Sequence, residues 1–128
     1  MSDRQQAQQL LMVAQRDLKA LAGMMNSAVF ADEIFGFHIQ QAAEKLLKAW
    51  IAAIGEVYPF THDLGVLLQQ LEAQGCKVSS HWALLEYNAF AVQLRYDLST
   101  SDMPIDRETA LTQVQSLYTQ VDTYLQST

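Results

Sequence analysis

Two sets of polar residues in this chain have the types and spacing to do chemistry. His38, Gln41, Lys45 and Lys48 recur every three or four residues, so on a helix they share one polar arc. Two ammonium groups beside an imidazole and an amide supply the donors that a phosphate accepts. The second set is His81, Asn88 and Arg95, spaced seven apart, which on an α-helix stacks them at nearly one angle. Arginine pairs with two phosphate oxygens at once, and histidine moves protons near neutral pH. Each set also has a plainer reading. The first arc can be a solvated face with Glu44 and Lys48 as an i,i+4 pair. Arg95 can pair with Asp97, Asp102 or a helix-end carbonyl, while His81 can be an exposed or capping residue and His62 can make local capping or packing contacts.

The elements that must carry these groups are all helices. Ser2 with Gln5 reads as a capping box, and Leu10, Val13 or Ala14, Leu18, Leu21 and Met25 continue a helical stripe to Met25. Asn26-Ser27 marks a turn. A second helix is predicted from about Asp32 to Ile54, with Phe35, Ile39, Ala42, Leu46, Ala49 and Ala53 on its apolar arc and Gly55 as its C-cap. Val57-Tyr58-Pro59-Phe60 is an extended connector, because Pro59 has no amide hydrogen and disfavours helix before it. Thr61 is expected to cap a third helix that runs to about Ala73, closed by Gly75. A fourth is expected from Ser79 or Ser80 to about Leu98. After a polar loop, Asp106 caps a fifth, whose stripe is Leu111, Val114, Leu117 or Tyr118, Val121 and Leu125. No segment alternates with period two for long enough to be a strand. The expectation is an all-α, single-domain protein over residues 1–128, an up-and-down four-helix bundle with an additional fifth helix.

On α-helical geometry the fourth helix carries two apolar stripes. One holds Leu84, Tyr87, Ala91, Leu94 and Leu98; the other holds Trp82, Leu85, Ala89, Val92 and Tyr96. A helix apolar on two sides must be covered on both. It is then either the central helix of the bundle or half of a homodimer seam formed by Trp82, Leu85, Val92 and Tyr96, and the seam is the preferred expectation. Arg95 beside such a seam would be the favoured phosphate ligand, because partial exclusion of water strengthens a charged hydrogen bond.

Composition narrows the partners. There are 14 acidic and 8 basic residues, for a net charge of −6, and the bases are scattered. Strong general affinity for nucleic acid needs a concentrated basic face, so only a local site of a few bases is compatible with this chain. No apolar run approaches the roughly 18 residues that a membrane span requires. The polar start Met1-Ser2-Asp3-Arg4 shows no secretory signal. Cys76 is the only cysteine, and with the rest this favours the cytoplasm. No glycine loop, redox cysteine pair or metal-ligand spacing occurs, so no cofactor or metal is expected.

The stretch Phe37-His38-Ile39-Gln40-Gln41-Ala42-Ala43-Glu44-Lys45-Leu46-Leu47-Lys48-Ala49-Trp50, with Thr61-His62-Asp63-Leu64 and Arg95-Tyr96, resembles the HEPN family of small helical bundles. There a His-x-Gln-Gln-Ala-Ala-Glu-Lys-like second helix precedes a Thr-His-Asp-Leu-like start of the third. The resemblance implies a bundle that dimerises through its fourth helix. It also implies a nucleotide or RNA ligand and a nucleotidyltransferase partner, in an arrangement similar to toxin–antitoxin pairs. Ribonuclease members of the family carry a histidine shortly after the arginine matched here by Arg95. The corresponding positions are Thr100, Ser101 and Asp102, none of which replaces imidazole as a general base. The expectation is therefore a non-catalytic binding accessory. A ribonuclease with a degenerate motif is the first alternative, and a structural assembly protein without a ligand is the second.

Overall fold

The computed structural model describes residues 2–91 and 105–128. Within them lie α1 (Asp3–Ala22), α2 (Asp32–Ala53), α3 (Leu64–Ala73), a 3-10 helix (Ser79–Tyr87) and α4 (Arg107–Gln126), with no strand among the described residues. The local signals act as their chemistry requires. Ser2 and Gln5 form the reciprocal capping box of α1, and Asp106 caps α4 by accepting from the Thr109 amide at 3.2 Å. Gly55 and Gly75 follow α2 and α3 with φ of +83° and +85°, the left-handed conformation that lets a helix stop.

The centre of the bundle is α2, which packs against every other helical element. Phe35, Ile39, Ala42, Leu46 and Ala49 are fully buried, and Leu47, Ile51 and Trp50 widen the buried arc beyond a single stripe. Ala7, Leu11, Ala14, Leu18 and Leu21 of α1 close one side, and Ala110, Val114, Leu117, Val121 and Leu125 of α4 another. Side-chain links fix the directions. Gln6 near the start of α1 meets Tyr58 just beyond α2, so α1 and α2 run antiparallel. Arg107, the first residue of α4, reaches back to the end of the α1–α2 hairpin. Its guanidinium donates to the Met24 and Phe30 carbonyls and to Asp32, and lies 4.7 Å from the Phe35 ring centre. It is 7% exposed and clips α4 to both earlier helices.

Three expectations need correction. The first helix ends at Ala22, not Met25, since Gly23 and Met24 bond back only three residues, to Ala20 and Leu21. Thr61 does not cap the third helix. Asp63 does, accepting from the Gly65 amide at 2.9 Å, while Thr61 supports the Asp63 amide one step earlier. The third correction matters most. Residues 79–87 wind as a 3-10 helix, held by i→i+3 bonds such as His81 to Val78 and Asn88 to Leu85. Residues three apart eclipse one another in this form, and His81, Leu84, Tyr87 and Phe90 make one buried row at that period. The α-helical two-stripe construction therefore does not hold over these residues. The central helix is α2. Val92, Arg95 and Tyr96, like Leu94, Leu98, Thr100, Ser101 and Asp102, lie outside the described residues.

Candidate functional site

The polar side of α2 folds into a hydrogen-bonded hub rather than a solvated stripe. Glu44 is only 5% exposed, and three groups satisfy its carboxylate. Lys48 Nζ donates to Oε2 at 2.9 Å, His62 Nδ1 stands 2.9 Å from Oε1, and Gln40 Nε2 lies 3.3 Å from Oε1. Gln40 is fully buried, donates to the His62 carbonyl at 2.7 Å, and accepts from Gln41 at 2.8 Å. Burial alone would raise the Glu44 carboxyl. The hydrogen bonds from Lys48 and His62, the Lys48 charge and the Gln40 amide outweigh it and hold the group below its ordinary value. Glu44 is thus an anion in the interior, and its role is to bind the chain entering α3 to the middle of α2.

Beside the hub is an open pocket of about 400 Å³, edged by Gln6, Leu10, Lys45, Lys48, Tyr58 and Phe60 among others. The connector after α2 forms its far wall and is tethered at both ends. Gln70 donates to the Val57 carbonyl at 3.0 Å, and Gln40 holds His62. Gln6 donates to the Tyr58 hydroxyl at 2.9 Å, and Lys48 Nζ sits 5.6 Å from the Tyr58 ring centre. Val57 and Phe60, by contrast, point their apolar surface into solvent, Phe60 completely. Lys45 pairs with Asp17 at 2.8 Å. Each ammonium has three donors, and one carboxylate contact leaves capacity for another acceptor.

Of the residues singled out in the sequence, Gln41, Lys45 and Lys48 share this half-buried edge of α2. His38 lies toward the other end of the helix, edge-on to Phe37. His81 and Asn88 do not form an exposed line. His81 is 2% exposed, packed edge-on against Trp50, with Nε2 2.6 Å from Gln120 Oε1. Asn88 completes the cap of α3: its Oδ1 accepts from the Leu64 amide at 2.9 Å and its Nδ2 donates to Asp63 at 2.8 Å. The physical reason is the 3-10 winding, which rotates successive residues differently from an α-helix. Arg95, third member of that line, lies outside the described residues. Of the seam residues, Trp82 is half-buried and donates to Glu72 at 2.9 Å, while Leu85 is 38% exposed. Val92 and Tyr96 fall outside the description. Among the described residues, no group of three His, Cys, Asp or Glu side chains is placed to hold a metal ion, and no helix is long and apolar enough to cross a membrane.

Sequence reasoning missed the burial of Gln40 and Glu44 and the part played by His62, Tyr58 and Phe60. One signal was present. Gly36, Gln40, Glu44 and Lys48 descend the helix at i,i+4, so the two polar residues in the middle lie on the border between the arcs. Nothing local shows that His62 returns to meet them. Among known families, the model of the HEPN domain matches residues 7–123 of the chain. Comparison with curated proteins and with solved structures gives no significant match.

Proposed function

Since the chain belongs to the HEPN domain family, we propose that it is a non-catalytic nucleotide- or RNA-binding accessory protein, dimeric and paired with a nucleotidyltransferase in a toxin–antitoxin-like system. One observation carries the binding reading: Lys45 and Lys48 edge the same open pocket as Tyr58 and Phe60. Lysines offer phosphate contacts and aromatic rings offer base stacking, the combination used by sites for single-stranded nucleic acid and nucleotides. The one imidazole of the hub, His62, is engaged with the Glu44 carboxylate, its Nδ1 2.9 Å from Oε1. Glu44 is held ionised among three donors, and Gln40 and Asn88 are engaged in positioning the backbone. The sequence after Arg95 lacks the histidine that would complete a ribonuclease motif. The dimer reading rests on Leu85, whose side chain stays 38% exposed beside Trp82.

The experiment is a pair of assays on the full chain. Labelled RNA incubated with the protein should remain intact; cleavage that disappears in Arg95→Ala would install the ribonuclease alternative. Titration calorimetry with mononucleotides and short RNA should show weak, salt-sensitive binding. Lys48→Ala reducing it points to the α2 pocket, and Arg95→Ala reducing it points to a site that includes Arg95. Absence of binding to every nucleotide and RNA would leave the structural assembly reading.

A further inference from the structure

We propose that the pocket between α2 and its following connector is a site for one nucleoside monophosphate unit, base against Phe60 and phosphate on Lys45 and Lys48. The inference rests on the nucleotide-binding reading above and assigns it a place and a ligand chemistry. An isolated exposed phenylalanine is ordinary on a protein surface. Phe60 differs because it follows a proline, on a connector tied to Gln70 at Val57 and to Gln40 at His62. Its backbone therefore sits on a short, anchored segment, which lowers the main-chain entropy lost when something stacks on the exposed ring. The Tyr58 ring is already held by Gln6 and Lys48 and serves as the wall.

Charge decides which end of a ligand goes where. The pocket holds two ammonium groups, each with a carboxylate neighbour: Asp17 at 2.8 Å from Lys45 and Glu44 at 2.9 Å from Lys48. Glu44 also contacts His62 and Gln40, so Lys48 is one of three groups on that carboxylate and keeps further N–H donors for a ligand. These two carboxylates, Asp17 and Glu44, disfavour a chain of phosphates more than a single one. The volume, about 400 Å³, is in the range of small-ligand pockets. A single base with a single phosphate fits these features better than a triphosphate or a duplex. That unit can be a free mononucleotide or the phosphorylated end of a single-stranded RNA.

The test uses AMP, adenosine, inorganic phosphate and a short oligoadenylate with or without a 5′-phosphate, titrated into the full chain and followed by amide chemical shifts and calorimetry. The expected result is that AMP binds more tightly than adenosine or phosphate alone, with shifts clustered at Lys45, Lys48, Tyr58 and Phe60. Phe60→Ala, at a fully exposed position, should keep the fold and weaken AMP roughly tenfold, within the range for loss of one base–aromatic stack. Lys45→Gln should weaken AMP but leave adenosine unchanged. Tighter binding of the 5′-phosphorylated RNA than of AMP identifies an RNA end as the source, and the reverse identifies a free nucleotide. Binding of nucleotide or RNA that is indifferent to Phe60→Ala overturns this site and leaves the nucleotide-binding reading standing. No binding of any of these probes overturns both.

Discussion

Glu44 is a buried carboxylate held by Lys48, His62 and Gln40. Removing one partner of a buried, hydrogen-bonded ion pair is far more damaging than the pair's net worth, because the other groups lose their counterpart. Lys48 can still reach water at the pocket edge, which softens the effect. Glu44→Ala should therefore destabilise the protein by about 2–3 kcal/mol, near the value for lost hydrogen bonds to a charged group, read as a fall in the urea midpoint at unchanged slope. The pH dependence follows from the same carboxylate. Its folded-state pKa is lowered from the ordinary 4.5, so between the two values the unfolded chain binds the extra proton. This contribution is fully present above about pH 4.5 and is lost as acid carries the pH down through the folded value. Glu44→Gln should flatten that part of the stability curve. A variant as acid-sensitive as the wild type would show that other carboxylates control the transition.

At the scale of elements, α3 depends on a residue far along the chain for its first turn. Asp63 and Asn88 together satisfy the amides of Gly65 and Leu64 and are hydrogen-bonded to each other. Asn88→Ala should cost about 1–2 kcal/mol, the scale of a lost helix cap. With Asp63→Ala in the same chain the losses should add to less than their sum, because each variant already disturbs the shared cap; additive losses in a double-mutant cycle would break that link. The caps at Ser2 and Asp106, the left-handed glycines and the two arcs of α2 were legible, because each is decided within a few residues. The 3-10 form of residues 79–87 was not. Apolar residues three apart satisfy both windings, and in the tighter one His81 packs against Trp50 and meets Gln120. The hub was hidden for a related reason: Gln40 and Glu44 are hydrogen-bonded to His62, 22 and 18 positions away. The pocket exists only because the Val57–Phe60 connector is tied back to α1 and α3.

Across the whole molecule, the assembly prediction turns on Leu85. If the face with Trp82 is a seam, Leu85→Glu should convert a dimer into a folded monomer, since an unpaired charge buried there is strongly unfavourable while the same charge in solvent is harmless. Sedimentation at micromolar concentration checks it, and a wild type that already sediments as a monomer removes the seam. Arg107 acts on a different property. Its guanidinium joins groups 75, 77 and 83 positions away in the chain, whereas α1 and α2 meet through a short connection. Contacts that close so long a loop form late, after the α1–α2 hairpin is largely assembled. Arg107→Met should then leave the refolding rate nearly unchanged and raise the unfolding rate by roughly tenfold or more, the partition expected when an interaction is absent from the transition state. In stopped-flow chevrons only the unfolding limb should move. The clip at the start of α4 would set how long the native state lasts, and the hairpin how quickly it is reached.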